Sequence, residues 1–251
     1  MDTNIITKIG IVITAVNDYV TNNIRIINNN IYSRETAGIS LNKCYNSFVT
    51  GNTIVNDITG ATGGILIGNS NNIIVDSNIL SAEISGCSGI VSENTNEKIN
   101  IASNKISGGY IGIYMVHQLS YSYIYNNEIS SLNLYGMFIN PLFCKIDANM
   151  VRDVQNVGLF VNNALNSFIS QNLFENVGTD SPPDMPIIKI NTAESNFIEG
   201  NYFYSEYNTQ FAVLFANYTT FPNVISNNFA RYRANPFSYN INDIISGNFT
   251  L

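Results

Sequence analysis

The chain has 251 residues, of which 45% are hydrophobic and 12% charged, with no Trp and a formal net charge of −7. Low charge with Ile, Val, Tyr and Phe in alternation is a stacked β composition rather than a disordered one. The acidic balance and the lack of a Lys/Arg cluster argue against nucleic acid as partner. No apolar run has membrane-spanning length, and Asp2 stands where a secretory leader would be basic, so no signal peptide is expected at Met1.

Taken in order, residues 1–9 read as the end of a coil, with Asn4 and Ile6 matching an Asn-x-apolar corner. From Gly10 a two-strand unit repeats, clearest between Gly158 and Phe174. A first strand, Gly-Leu-Phe-Val, is followed by a second, Phe-Ile-Ser-Gln-Asn-Leu-Phe. The register mark is the Asn, which recurs at Asn29, Asn52, Asn78, Asn104, Asn127, Asn149, Asn172, Asn201, Asn228 and Asn248. Three residues before each stands Ile or Val without exception, and two residues after stands an apolar residue or, at the end, Thr250. The glycine recurs at Gly10, Gly38, Gly64, Gly89, Gly112, Gly136 and Gly158, and is followed by Pro186, Ala212 and Pro236 in the same expected place. The longest insertion runs over 176–185 and contains Pro182-Pro183, and aromatic residues then concentrate from Tyr202 to Phe249.

Self-similarity with a period of roughly 20–29 residues means stacked coils. Residues 1–251 are therefore expected to form one all-β domain, a parallel β-solenoid of about ten coils with an Asn ladder. No segment has a sustained helical period, so almost no helix is expected. Two reasons for Asn present themselves. It tolerates the left-handed conformation of a sharp bend, and its amide can bond from coil to coil up the stack. Leucine-rich repeats share a similar motif and period, but here Ile, Val and Phe fill the apolar sites and the other half of each unit is too rich in Gly, Asn and Ser for a helix. Cys44, Cys87 and Cys144 have neither metal nor redox spacing and read as small apolar fillers.

The Gly-Ile-x-Ile and Asn-Ser-Phe-Ile-x-x-Asn-x-Phe patterns resemble the right-handed parallel β-helix of the pectin-lyase-like superfamily, which includes pectate lyases, alginate epimerases and phage tailspikes. The resemblance covers nearly the whole chain. It implies a polysaccharide-directed protein, most like a tailspike domain at a virion or cell exterior, and a homotrimer packed through an outward apolar stripe. In the Gly strands that stripe is read as Val12, Ser40, Leu66, Val91, Tyr114, Phe138, Phe160, Ile188, Leu214 and Ser238, with Tyr114, Phe138 and Phe160 at its centre. The lyases of the superfamily use acidic calcium ligands and an Arg base on this sheet. None of these positions is charged, so the pattern departs from the lyases there.

The densest charge follows the Asn-x-apolar strand in consecutive coils. Asp153, Glu175, Asp180, Asp184 and Glu206 are the candidate catalytic carboxylates, and Arg152, Tyr204, Arg231 and Arg233 the candidate substrate-binding residues. Carboxyls one or two coils apart, about 5–10 Å at the strand spacing, bracket both glycosidase geometries. The competing reading is a solvated edge that keeps the rod soluble. His117, with no second candidate beside it, reads as a surface residue. No cofactor or metal is assigned. A glycan-binding or glycan-cleaving protein is set against a non-catalytic structural β-helix, with a lyase or epimerase as the third reading.

Overall fold

The computed structural model describes residues 5–8, 10–15, 19–34, 37–57, 63–82, 86–179, 186–204, 212–216, 221–231 and 243–250. Every described element is a β-strand, and every strand pairing is parallel. Three faces are stacked coil upon coil. The Gly face holds the Gly-x strands, from Ile11–Thr14 to Val213–Phe215. The middle face holds the strands that end just before the register Asn, from Arg25–Ile27 to Ile244–Ser246. The Asn face holds the strands that follow it, an eleven-stranded sheet from Ile5–Lys8 to Phe249–Thr250. Ile6 pairs with Ile31, so the N-terminal strand is the tail of a coil as expected.

Nine coils contribute all three described strands, slightly fewer than the ten expected, because 232–242 lie outside the described residues. The core runs up the interior. Ile39, Ile65, Ile90, Ile113, Met137, Leu159 and Ile188 line it from the Gly face, and Val49, Val75, Ile101, Ile124, Ile146 and Ile169 from the middle face. Ile54, Leu80, Ile106, Ile129, Val151, Phe174 and Phe203 close it from the Asn face. The glycines serve this closure. A Cβ on Gly136 would lie 2.4 Å from Val151 Cγ1 and 2.4 Å from the Gly158 carbonyl oxygen, so the corner admits no side chain.

The Asn ladder is continuous from Asn29 to Asn248. Each Nδ2 donates to the Oδ1 of the next Asn at 2.9–3.0 Å. The same Oδ1 accepts the backbone N–H of the Asn below it, as from Asn104 to Asn127 at 3.0 Å. The second Nδ2 proton goes to a main-chain carbonyl of the preceding coil, as from Asn127 to Ile101 at 2.9 Å. The left-handed residue is not the ladder Asn, which corrects one of the two reasons given for it. It is the residue before: Asn28, Gly51, Ser77, Ser103, Asn126, Ala148, Gln171, Gly200, Asn227 and Gly247. The Asn is selected for its amide alone.

A second ladder, not anticipated from the sequence, runs up the corner between the Gly face and the middle face. Ser122 Oγ accepts the Ile99 N–H at 2.9 Å, Ser167 Oγ that of Cys144 at 3.1 Å, Asn196 Oδ1 that of Ser167 at 2.9 Å, and Asn223 Oδ1 that of Asn196 at 3.1 Å. Its signal in the sequence is a small polar residue five places before the register Asn, diluted by Ile24, Ile73, Ile99 and Cys144. The three cysteines are buried and form no disulfide, consistent with apolar filling.

Candidate functional site

Side chains alternate across each strand of the Asn face, so two rows point outward. Pairing places Ser130, Arg152, Glu175, Tyr204 and Arg231 opposite one another in five consecutive coils. A parallel row holds Glu128, Met150, Leu173, Tyr202, Phe229 and Phe249. One strand therefore sets Tyr202 and Tyr204 side by side, and the next sets Phe229 beside Arg231. Four residues singled out from the sequence, Arg152, Glu175, Tyr204 and Arg231, thus form one ladder at a step of about 4.8 Å.

Within this ladder Arg231 lies over the Tyr204 ring, its guanidinium carbon 5.4 Å from the ring centroid. Tyr202 and Phe229 stack at 4.8 Å with their planes 9° apart, and Tyr202 is 42% exposed. Arg152 pairs with Glu128, which Lys105 also approaches at 3.6 Å. That leaves the carboxylate of Glu175, a half-buried residue between Arg152 and Tyr204, without a hydrogen bond or ion pair among the described residues.

Asp153 is exposed and left-handed, at φ 53°, where the strand turns off the Asn face. Asn176 Nδ2 donates to its Oδ1 at 3.3 Å. Asp153 and Glu175 thus sit at adjacent positions of neighbouring coils. Asp180, Asp184, Glu206 and Arg233, and with them the Pro182-Pro183 loop, lie outside the described residues. Among the described residues no group of three or more His, Cys, Asp or Glu could hold a metal ion.

The outward stripe of the Gly face departs from its expected register in one place. Phe160 pairs with Lys189, and Leu159 with Ile188. Ile188 is a buried core residue, and the stripe carries a charge, Lys189. The cause is at Pro186: its successor Ile187, not Pro186, stands opposite Gly158 and gives its carbonyl to the Leu159 N–H at 3.0 Å. Lys189 Nζ lies 5.5 Å from the Phe160 ring centroid. The stripe packs largely on itself, with Phe138 stacked on Phe160 at 4.9 Å and Tyr114 edge-on to Phe138 at 5.4 Å. Tyr135 lies against Phe138 and Phe160, and burial pushes its phenol pKa up. No calcium-binding acid cluster joins Lys189 on this face among the described residues. Ser238 lies outside the described residues. His117 is exposed, as a surface residue would be.

Solved structures superpose on this geometry. The lidless DFA-IIIase of Arthrobacter chlorophenolicus A6 in complex with GF2 does so with a TM-score of 0.64 and 14% identity, covering 87% of this chain and 59% of its own. The periplasmic alginate epimerase AlgG matches with a TM-score of 0.59 and 11% identity, over 90% of this chain and 69% of its own. The mannuronan C-5 epimerase AlgE6 A-module of Azotobacter vinelandii matches at 0.52 and 11%, over 96% and 88%. The fold is a parallel β-helix, as in these structures. At these identities the likeness is one of fold, and the chain spans little more than half the length of the DFA-IIIase. No family model and no curated protein sequence matches the chain. No described helix is long and apolar enough to cross a membrane.

Proposed function

We propose that this β-helix binds a polysaccharide along its Asn face and does so outside the cell, as a tailspike-like or cell-surface appendage domain. The observation that supports this most is the ladder Arg152–Glu175–Tyr204–Arg231 with the stacked Tyr202–Phe229 pair beside it. Aromatic rings pack on the C–H faces of sugars, and forked guanidinium and carboxylate groups bond their hydroxyls or acid groups. The equal step from coil to coil suits a polymer lying along the stack. Glu175, with no protein partner among the described residues, is the carboxylate free to engage it, and Asp153 at the adjacent corner is the second group of an acid–base pair. Asp180, Asp184, Glu206 and Arg233, outside the described residues, stay candidates by their place in the sequence. Assembly as a homotrimer through Tyr114, Phe138 and Phe160 belongs to the proposal.

The second reading is a receptor-binding or architectural rod without catalysis. Arg152 favours it, because its charge is already spent on Glu128. A polysaccharide panel, scored for retention and for new reducing ends, separates the two. Binding with cleavage that Glu175→Gln abolishes supports the enzyme. Binding without cleavage supports the rod. Absence of binding across capsular, teichoic and plant polysaccharides contradicts both carbohydrate forms.

A further inference from the structure

We infer that the corner between the Gly face and the middle face carries a second saccharide-contacting surface, an aromatic platform built on Tyr121 and Phe143 that takes neutral sugar rings. The inference rests on the carbohydrate reading above but concerns residues on the other side of the rod. Its first observation is a strained pair. The corner position is left-handed in every coil from Asn23 to Ser195: Asn23, Asn46, Asn72, Lys98, Tyr121, Phe143, Asn166 and Ser195, at φ 50–59°. Asn fills this conformation with little penalty, whereas a bulky aromatic there is an outlier. Two consecutive coils nevertheless place aromatic rings in it.

These rings gain no core burial. Tyr121 is 51% and Phe143 45% exposed, stacked on each other at 5.3 Å with planes 7° apart. Asn at the same position would be unstrained and could bond up the row, as Asn72 does to Asn46 at 2.8 Å. The fold alone therefore gives no reason for aromatic side chains at this corner.

The second observation is a bulge in the strand leading into Tyr121. Met115 pairs with Ile139, but Gln118 pairs with Asn140, so Val116 and His117 are extra residues. Val116, His117 and Gln118 are all exposed. Asn140 Nδ2 donates to the Val116 carbonyl, while its Oδ1 is buried and accepts no hydrogen bond. A bulge re-aims side chains and is enriched beside binding sites.

The aromatic surface continues onto the middle face. Tyr123, Lys145, Phe168 and Phe197 occupy one outward row, and Phe168 stacks on Phe197 at 4.8 Å. Its two lysines are matched: Lys145 pairs with Asp147 at 3.0 Å and Lys98 with Glu97 at 3.3 Å. A surface of aromatic rings and amides, with no unpaired cation beside the rings and with the Glu199 carboxylate next to Phe197, does not recognise phosphates or uronic acids. It suits the C–H faces and hydroxyls of neutral sugars.

The test is the double variant Tyr121→Asn/Phe143→Asn, which installs the residue that the row itself prefers. Titration calorimetry uses fructo-, xylo- and β-1,3-gluco-oligosaccharides as neutral probes and alginate oligosaccharide as the acidic one. The expected result is an unchanged or higher thermal midpoint, with affinity for a neutral probe reduced at least tenfold. Wild-type affinity in the variant overturns the platform. So does a lowered thermal midpoint, because the rings would then serve the fold. Wild type that binds only the acidic probe overturns the platform and leaves the Asn-face reading standing. Binding of no probe overturns the platform, and the Asn-face reading is decided by the polysaccharide panel.

Discussion

The side-chain amide of Asn127 donates to Asn149 Oδ1 at 2.9 Å while its own Oδ1 accepts from Asn104, so each ladder amide is held by the coil below and the coil above. Removing one member leaves buried polar groups without partners on both sides. Asn127→Ala is therefore expected to cost about 1–3 kcal/mol, the penalty for an unsatisfied buried group. Asn126→Gly, at the left-handed position next door, is expected to cost little, since Gly accepts that conformation freely. Thermal and urea melts of both variants check this. Equal effects would contradict the division of labour between the two positions.

The glycine of the first strand makes a separate prediction. Gly136→Ala would drive its Cβ against Val151 Cγ1 and the Gly158 carbonyl, each 2.4 Å away, and backbone cannot give way as a side-chain tip can. A loss of about 1–3 kcal/mol is expected from such overpacking, read as a lower urea midpoint. An unchanged midpoint would mean that the coils can separate there at no cost.

Much of this fold was legible in the sequence, because a stacked architecture writes each contact many times. The apolar residue three before each Asn and the one two after it are core residues in coil after coil. What was misread has local causes. Pro186 was read in the glycine place, but Ile187 is the residue that stands opposite Gly158, which turns Ile188 inward and Lys189 outward. The corner conformation was assigned to the ladder Asn because Asn tolerates it, yet Ser, Ala and Gln hold it one place earlier under the constraint of the stack. The Arg152–Glu175–Tyr204–Arg231 row was visible as charge following each Asn strand. The Tyr121–Phe143 pair was not, because nothing in a sequence marks a Tyr as left-handed.

Cysteine chemistry offers a pH test. Burial pushes the Cys144 thiol up to about 11, and the thiol donates to the Leu119 carbonyl at 3.0 Å. A thiol is neutral when protonated. The folded state therefore holds its proton at pH values where the unfolded chain, near the ordinary value of about 8.5, has released it. This contribution to stability is complete below about 8.5 and is lost as pH rises to about 11. Cys144→Ala should flatten that part of the profile, measured as thermal midpoint against pH.

Assembly through the Gly face is tested at Phe138, which stacks on Phe160 at 4.9 Å. If the stripe joins copies of the chain, Phe138→Asp places an unpaired charge in the contact and converts an oligomer to monomers in sedimentation. Wild type that sediments as a monomer contradicts the trimer.

The central claim, that a polysaccharide lies along the Asn face, is tested most directly by binding measured on ladder variants. Tyr204→Ala and Arg231→Ala remove outward side chains that are not part of the core, so both should fold with wild-type thermal midpoints. Affinity chromatography on a polysaccharide that retains the wild type should show each variant eluting early, with dissociation constants raised about tenfold or more, the equivalent of roughly 1.4 kcal/mol. Wild-type retention of both variants would contradict the account.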